Sequence, residues 1–209
     1  PQPQVVRFVA LGDAGEGNDD QFAVARAIKQ VCDVRGCDFA LYLGDNFYES
    51  GVDDVYDEQF QTKFEMPYAD LDFPFYVVFG NHDYLHREEG RFVEAMEPAG
   101  WRFLRNTSEL LEVGSARVGF CGIEDPEEGK VVDVEGAVSG LRAAAEDERP
   151  AVIVALSHGP RAAPEFAARG ARVVLSGHSH GTQVDLPLLR DLGPSHPGLR
   201  VELGGTTLV

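Results

Sequence analysis

The sequence FALYLGDNFY, residues 39–48, contains an apolar run that ends in an acidic loop, and this loop also carries a tyrosine. The run FALYL has the length and the apolar character of a buried strand. Asp45 and Tyr48 follow it at a point where a simple turn needs neither a carboxylate nor an aromatic ring. The decisive question is whether other strands end in the same way.

Four further apolar strands are followed by polar loops of this kind. The five loops are GDAG (12–15), GDNFY (44–48), GNHD (80–83), SHGP (157–160) and GHSH (177–180). Their candidate functional side chains are Asp13, Asp45, Tyr48, Asn81, His82, Asp83, His158, His178 and His180. Because ligands bind beyond the carboxyl ends of the strands in open α/β sheets, we expect the loops to converge. The mixture of oxygen and imidazole ligands is suited to transition metals.

Each loop taken alone has an ordinary explanation. Gly and Asp form turns, so GDAG by itself predicts only a turn. Residues 12–17, GDAGEG, lack the glycine order of a dinucleotide-binding or P-loop signature. A single histidine such as His158 is more often a core or surface residue than a metal ligand. The conjunction of all five strand ends is what favours a metal site.

The composition indicates one soluble domain over residues 1–209. The chain has 44% hydrophobic and 25% charged residues, which is ordinary for a globular protein. No apolar run approaches the ~18 to 20 residues of a membrane helix. The net charge of −17 disfavours nucleic acids and anionic membrane surfaces as partners. A small anionic substrate remains compatible with this charge if a metal supplies a local positive field.

The hydrophobic pattern predicts strands that alternate with helices over most of the chain. Residues 19–32 predict a helix between the first two strands, and residues 102–122 predict a run of short strands without intervening helices. The C-terminal residues predict a hairpin around Gly204 and Gly205. We find no internal repeat and no linker that divides the chain.

In their order along the chain, the five loops resemble the GDxG, GDxxY, GNH(E/D), xxH and GHxH motifs of the calcineurin-like metallophosphoesterases. Within that family they resemble the purple acid phosphatases. The motifs extend from Gly12 to His180. The resemblance implies an α/β fold in which two mixed β-sheets pack face to face and are flanked by helices, an α/β/β/α sandwich. It also implies metal-dependent hydrolysis of phosphate esters.

The resemblance implies two metal ions that share Asp45. The first ion, expected to be Fe(III), would be held by Asp13, Asp45, Tyr48 and His180, and the second, a divalent Fe, Zn or Mn ion, by Asp45, Asn81, His158 and His178. Most of the superfamily has a histidine two residues after the first aspartate, where this chain has Gly15. Tyr48 is placed to supply the missing ligand. A phenolate favours a trivalent ion, which acidifies a bridging water to the hydroxide nucleophile.

The same resemblance implies catalytic roles for two residues of the GNHD loop. His82 would act as the general acid that protonates the leaving alkoxide, or would orient the phosphate. Asp83 would orient His82. No cofactor other than the two metal ions is expected.

The two halves of the chain resemble different branches of the family. Up to about Tyr84 the sequence is most similar to purple acid phosphatases of the tartrate-resistant type, whereas residues 99–126 and 175–187 are more similar to small bacterial calcineurin-like phosphodiesterases. Tyr48 and the paired histidines favour an acid phosphatase-like phosphomonoesterase, which is the function that we predict. The alternatives are a metal-dependent phosphodiesterase or pyrophosphatase, and an inactive metal- or phosphate-binding protein.

Two features bear on the cellular location. The N-terminal PQPQVVRF has neither the basic nor the apolar region of a signal peptide. Cys32 and Cys37 could form a disulfide or could be reduced packing residues like Cys121. The resemblance to exported phosphatases and the cysteine spacing favour a secreted or periplasmic protein, with the cytoplasm as the alternative.

Overall fold

The computed structural model describes residues 5–49, 51–85, 89–125, 129–143, 150–179 and 200–209. The strands are β1 Phe8–Leu11, β2 Phe39–Leu43, β3 Phe75–Val78, β4 Trp101–Phe103, β5 Thr107–Val113, β6 Ala116–Gly122, β7 Val152–Leu156, β8 Val173–Leu175, β9 Val201–Leu203 and β10 Thr206–Leu208. The α-helices are α1 Asp19–Arg35, α2 Met66–Tyr68, α3 Glu89–Met96, α4 Val134–Ala143 and α5 Ala163–Ala168. None of the described helices is long and apolar enough to cross a membrane.

The strands form two sheets. One has the order β1-β2-β3-β4 and is parallel throughout. The other has the order β5-β6-β7-β8-β10-β9 and is mixed, with β6, β7, β8 and β10 parallel and the hairpin partners β5 and β9 antiparallel. The predicted C-terminal hairpin is thereby confirmed. Parallel strands place their carboxyl ends at a common edge, which is where the polar loops lie.

Three hydrophobic clusters show that the sheets pack face to face between helices. The central cluster joins β2 and β3 of the first sheet to β6, β7 and β8 of the second, with Phe39 against Phe120 at its middle. A second cluster packs α1, α2 and α3 on the outer face of the first sheet. A third packs α4 and α5 on the outer face of the second sheet. The predicted α/β/β/α sandwich is confirmed.

The structure differs from the sequence prediction at two points. Only the second sheet is mixed, whereas we expected both to be. The short strands predicted over 102–122 do not form one meander: β4 joins the first sheet parallel to β3, and only β5 and β6 pair as a hairpin. The aromatic residues of β4 explain this, because Trp101 and Phe103 pack with Phe92 of α3 on the first sheet.

A disulfide joins the C-terminal end of α1 to the residues before β2. Cys32 and Cys37 are bonded, with their Cα atoms 5.1 Å apart, and Cys121 is free and buried. The pairing that the sequence left open is therefore settled. Gly36 ends the helix between them, at φ 77°, and donates its backbone N–H to the Cys32 carbonyl.

We expect Cys32→Ser/Cys37→Ser to lower the free energy of unfolding by about 2 kcal/mol. The bond closes a loop with a sequence separation of 5 residues, and short loops constrain the unfolded chain only modestly. Denaturant titration measures the change. The wild type in reductant is the control and should match the variant, and a variant as stable as the oxidised wild type would contradict the estimate.

Candidate metal centre

The five loops meet at the carboxyl edge of the sandwich. Asp13, Asp45 and Asn81 follow β1, β2 and β3 of the first sheet, and His158 and His178 follow β7 and β8 of the second. Backbone hydrogen bonds connect the loops: Asp13 N donates to the Gly44 carbonyl at 3.0 Å, and His178 N donates to Asp13 Oδ2 at 2.9 Å. Residues 165 positions apart in sequence are thus direct neighbours.

Tyr48 lies with two carboxylates. Its hydroxyl donates to Asp45 Oδ2 at 2.9 Å and is 3.3 Å from Asp13 Oδ1. Burial and the charges of Asp45 and Asp13 raise the pKa of the Tyr48 phenol far above its ordinary value. A trivalent cation held by these oxygens would reverse that field, because its charge would exceed that of the two carboxylates. The phenolate expected of a metal ligand therefore depends on the ion itself.

The ε2 nitrogen of His158 faces three further ligand-type atoms. Its other nitrogen, Nδ1, lies 2.8 Å from the Leu43 carbonyl oxygen, which can only accept, so Nδ1 carries a proton. Nε2 lies 3.2 Å from Asn81 Oδ1, 3.2 Å from His178 Nδ1 and 3.4 Å from Asp45 Oδ2. A positive charge stabilises this arrangement, either a proton on His158 Nε2 shared with Asp45 or a metal ion bound among these atoms.

The pKa shifts of the buried pair point the same way. Burial lowers the pKa of His158, but the hydrogen bond and charge of Asp45 outweigh burial and raise the pKa to about 9. Burial raises the pKa of Asp45, but the same interaction outweighs it and leaves the pKa below its ordinary value. Among the described residues, Asp13, Asp45 and His158 offer ligand atoms within 4.8 Å of one another. The donor set therefore fits a metal cation.

Three of these residues have strained backbones. Asp13, Asp45 and His178 adopt positive φ angles of 55°, 51° and 61°. Such conformations are uncommon for residues other than glycine and cost on the order of 1–3 kcal/mol each. Strain at three neighbouring loops is typical of a functional site.

Two glycines allow the loops to approach one another closely. A Cβ atom at Gly15 would lie 2.0 Å from the Asn46 carbonyl oxygen, and one at Gly80 would lie 2.3 Å from Asp45 Oδ1. Tyr48 N donates to the Gly15 carbonyl at 2.9 Å. The position where the superfamily usually has histidine therefore holds no side chain, because the backbone of the GDNFY loop occupies that space.

Asp83 has a different position from the one we expected. Its carboxylate accepts from Asn46 N at 2.9 Å, Asn46 Nδ2 at 2.8 Å, Phe47 N at 3.2 Å and Gly80 N at 2.9 Å. None of these bonds reaches the His82 ring. Burial raises the pKa of Asp83 to about 7 despite these donors. Asp83 thus joins the GDNFY loop to the GNHD loop, and the structure gives no support to its predicted orientation of His82.

His82 is held by other groups. Its backbone N–H donates to Asp45 Oδ1 at 3.0 Å, its ring centroid lies 4.6 Å from that of Tyr48, and its Nδ1 contacts the Glu49 carbonyl oxygen. Since a carbonyl only accepts, Nδ1 carries the proton. Nε2 is then the nitrogen left for proton transfer.

The predicted site is therefore brought together except at one position. His180 lies outside the described residues, and the metal-binding roles of the other six predicted ligands stay predictions. The sequence prediction missed Asn46, a fully buried side chain that bridges the Val78 carbonyl and Asp83. The signal in the sequence that could have identified Asn46 was its position directly after Asp45.

The two-sheet sandwich with polar loops at its carboxyl edge is the fold of a phosphoesterase domain. A family model described as calcineurin-like phosphoesterase matches residues 6–182. The chain therefore belongs to the calcineurin-like phosphoesterase family.

Known proteins similar to this chain carry related names. Tartrate-resistant acid phosphatase type 5 of Homo sapiens is 37% identical over 107 residues, which cover 47% of this chain and 33% of that protein. Purple acid phosphatase 7 of Arabidopsis thaliana is 33% identical over 110 residues, covering 51% and 34%. The match spans about a third of these relatives.

A solved structure shares the fold. The NAD nucleotidase of Haemophilus influenzae superposes with a TM-score of 0.67 at 14% identity, covering 98% of this chain and 50% of that chain. At this identity the likeness supports the fold alone.

Proposed function

We propose that this chain hydrolyses phosphate monoesters at a dinuclear metal centre. The observation that carries the proposal is that ligand-type oxygen and nitrogen atoms of six residues lie close together. The residues are Asp13, Asp45, Tyr48, Asn81, His158 and His178. The partner is a small phosphorylated molecule. Its negative charge would be attracted by the bound metal ions, although the chain as a whole has a net charge of −17.

The two positions differ in their ligand chemistry. Tyr48 with Asp13 and Asp45, completed by His180, suits Fe(III), because carboxylates and a phenolate are hard and anionic. Asp45 with Asn81, His158 and His178 suits a divalent Fe, Zn or Mn ion. When bound, the two ions activate water and stabilise charge on the phosphoryl oxygens during an in-line displacement.

The protein's own residues orient these groups and move one proton. The Leu43 carbonyl accepts from Nδ1 of His158, so Nε2 is the nitrogen that would bind a metal after giving up its proton. Asp83 keeps the loops of Asp45 and Asn81 at a fixed separation. His82, with Nδ1 held by the Glu49 carbonyl, delivers a proton from Nε2 to the leaving oxygen.

Elemental analysis combined with hydrolysis of two aryl esters tests the proposal. Purified protein should contain iron and a second metal ion, and should cleave para-nitrophenyl phosphate faster than bis(para-nitrophenyl) phosphate at mildly acidic pH. Faster cleavage of the diester would instead support the phosphodiesterase suggested by the C-terminal half of the sequence. Bound metal without cleavage of any activated phosphoester would contradict the enzymatic proposal.

We expect His82→Ala to lower kcat for an alkyl phosphate by about 10²- to 10⁴-fold, because a poor leaving alkoxide requires a proton. The loss for para-nitrophenyl phosphate should be much smaller, since that leaving group departs as an anion. Steady-state kinetics with both esters measure the difference. Equal losses would show that His82 does not act as the acid.

A further inference from the structure

A second polar cluster lies beside the proposed metal centre, at the ends of β4 and β6. Arg105 and Glu124 each follow their strand by two residues. The registers pair Val77 with Phe103 and Gly122 with Leu156. The ladder between β6 and β7 extends by one hydrogen bond, from Ile123 N to the Leu156 carbonyl at 3.4 Å, so Glu124 and His158 leave neighbouring strands at the same edge of the sheet. The first register, continued by two residues, places Arg105 beside the residue that precedes the GNHD loop.

The Arg105 guanidinium is fixed on one side. Its Nε donates to Glu124 Oε1 at 2.8 Å, and its Cζ lies 5.4 Å from the centroid of the Phe79 ring. The Tyr84 hydroxyl donates to the other oxygen of Glu124. Glu124 is therefore engaged through both carboxylate oxygens and cannot rotate away without losing a hydrogen bond.

The other side of Arg105 is open. The side chain is 31% exposed, and neither Nη group donates a hydrogen bond to any residue in the described parts of the chain. A guanidinium presents these two groups in a planar fork that matches a carboxylate or phosphate bidentately. Because Nε is already held, little side-chain entropy is lost when an anion binds.

A second cation extends the cluster. Lys130 pairs with Glu89, and its Nζ lies 4.5 Å from the centroid of the Tyr84 ring. Arg105 and Lys130 offset the charges of Glu124 and Glu89, and Asp125, whose backbone bonds the Tyr84 hydroxyl, is the remaining carboxylate beside them. The two cations are therefore the local groups that attract an anion.

We propose that Arg105, supported by Lys130, binds a second anionic group of the substrate, a carboxylate or a second phosphate. The inference rests on the proposed function, because the phosphoester itself lies at the metal centre. The preferred substrate class is then a small phosphoester with a further oxyanion.

Three aryl esters test the subsite: phenyl phosphate, para-carboxyphenyl phosphate and para-phenylene bisphosphate. The measured quantity is the ratio of kcat/KM for each charged ester to kcat/KM for phenyl phosphate. This ratio is compared between wild type and variants, so that differences in the intrinsic reactivity of the esters cancel. We expect Arg105→Met to lower this ratio at least about tenfold, the worth of a hydrogen bond to a charged group. Arg105→Lys should lower it less. A larger fall for one charged ester than for the other distinguishes a carboxylate from a phosphate as the bound group.

Two further variants separate binding from a structural role. Arg105→Met leaves the Glu124 carboxylate unpaired, so Arg105→Met/Glu124→Gln is measured as well and should show the same fall in the ratio. Arg102→Met, an exposed position on β4, is the charge control and should leave the ratio unchanged. If the ratio is unchanged in Arg105→Met and in Arg105→Met/Glu124→Gln, so that all three esters lose activity equally, the proposal is overturned.

Calorimetry keeps the subsite testable even if the proposed activity is wrong. Phenylphosphonate and para-carboxyphenylphosphonate are titrated into the metal-loaded protein. Arg105→Met should weaken binding of the charged analogue about tenfold more than that of phenylphosphonate. If wild type cleaves none of the esters, the proposed function fails. Equal weakening of the two phosphonates is the separate result that rejects the subsite.

Discussion

Asp45→Asn is expected to remove both metal ions and to lower phosphatase activity by about 10³-fold or more. Asp45 contacts members of both proposed ligand sets: Tyr48 at 2.9 Å through Oδ2, and His158 at 3.4 Å through the same atom. An amide has one fewer anionic oxygen and presents an NH₂ group to these neighbours. Since the metals contribute several kcal/mol to the transition state, their loss corresponds to such a fall in rate.

The measurement is metal content by elemental analysis, together with kcat/KM for para-nitrophenyl phosphate. Asp38→Asn is the matched control, because Asp38 lies just before the opposite end of the same strand and accepts a hydrogen bond from Arg7 N. It should retain both ions. An Asp45→Asn protein that keeps two ions per chain would exclude a bridging role for Asp45.

Gly15→Ala is expected to lower the free energy of unfolding by about 3 kcal/mol. The new Cβ would lie 2.0 Å from the Asn46 carbonyl oxygen and 2.6 Å from Phe47 N, which are backbone atoms that cannot rotate aside. Overpacking of this kind typically costs 1–3 kcal/mol and occasionally more, so a value of about 3 kcal/mol is expected here. The GDNFY loop must move, which also displaces Tyr48.

Denaturant titration of the metal-free protein measures this change without a contribution from metal binding. Gly90→Ala is the control, because nothing lies within 4 Å of its added Cβ and it is part of α3. That variant should be as stable as wild type or up to about 1 kcal/mol more stable. If Gly15→Ala unfolds at the wild-type midpoint, the close packing of the two loops does not determine which residues can occupy position 15.

The sequence was sufficient to predict the sandwich and the convergence of the polar loops. β2 is buried along its whole length, and its continuous apolar run is what a parallel strand between two layers requires. Once parallel strands are predicted, their carboxyl ends must share an edge, so Asp13 and Asp45 could be placed together from the sequence. His158 follows a strand of the second sheet, so its place beside them came from the resemblance to the family. Local pattern and topology agree at these positions.

Side-chain partners could not be predicted in the same way. The hydrogen bonds of Asp83 depend on how closely two loops approach, and the spacing in the sequence carries no information on that distance. The membership of β4 in the first sheet depends on the packing of Trp101 with α3. Arg105 and Glu124 also follow strands, so the rule that found the five loops would have found them if it had been applied to β4 and β6.

We propose that Tyr48 completes an Fe(III) site in place of the histidine that Gly15 excludes. The visible spectrum of the purified, iron-loaded protein is compared between wild type and Tyr48→Phe at equal iron content. We expect a tyrosinate-to-iron charge-transfer band in the wild type that is absent from Tyr48→Phe. A colourless wild type that is active with zinc or manganese, or a band that persists in Tyr48→Phe, would contradict it.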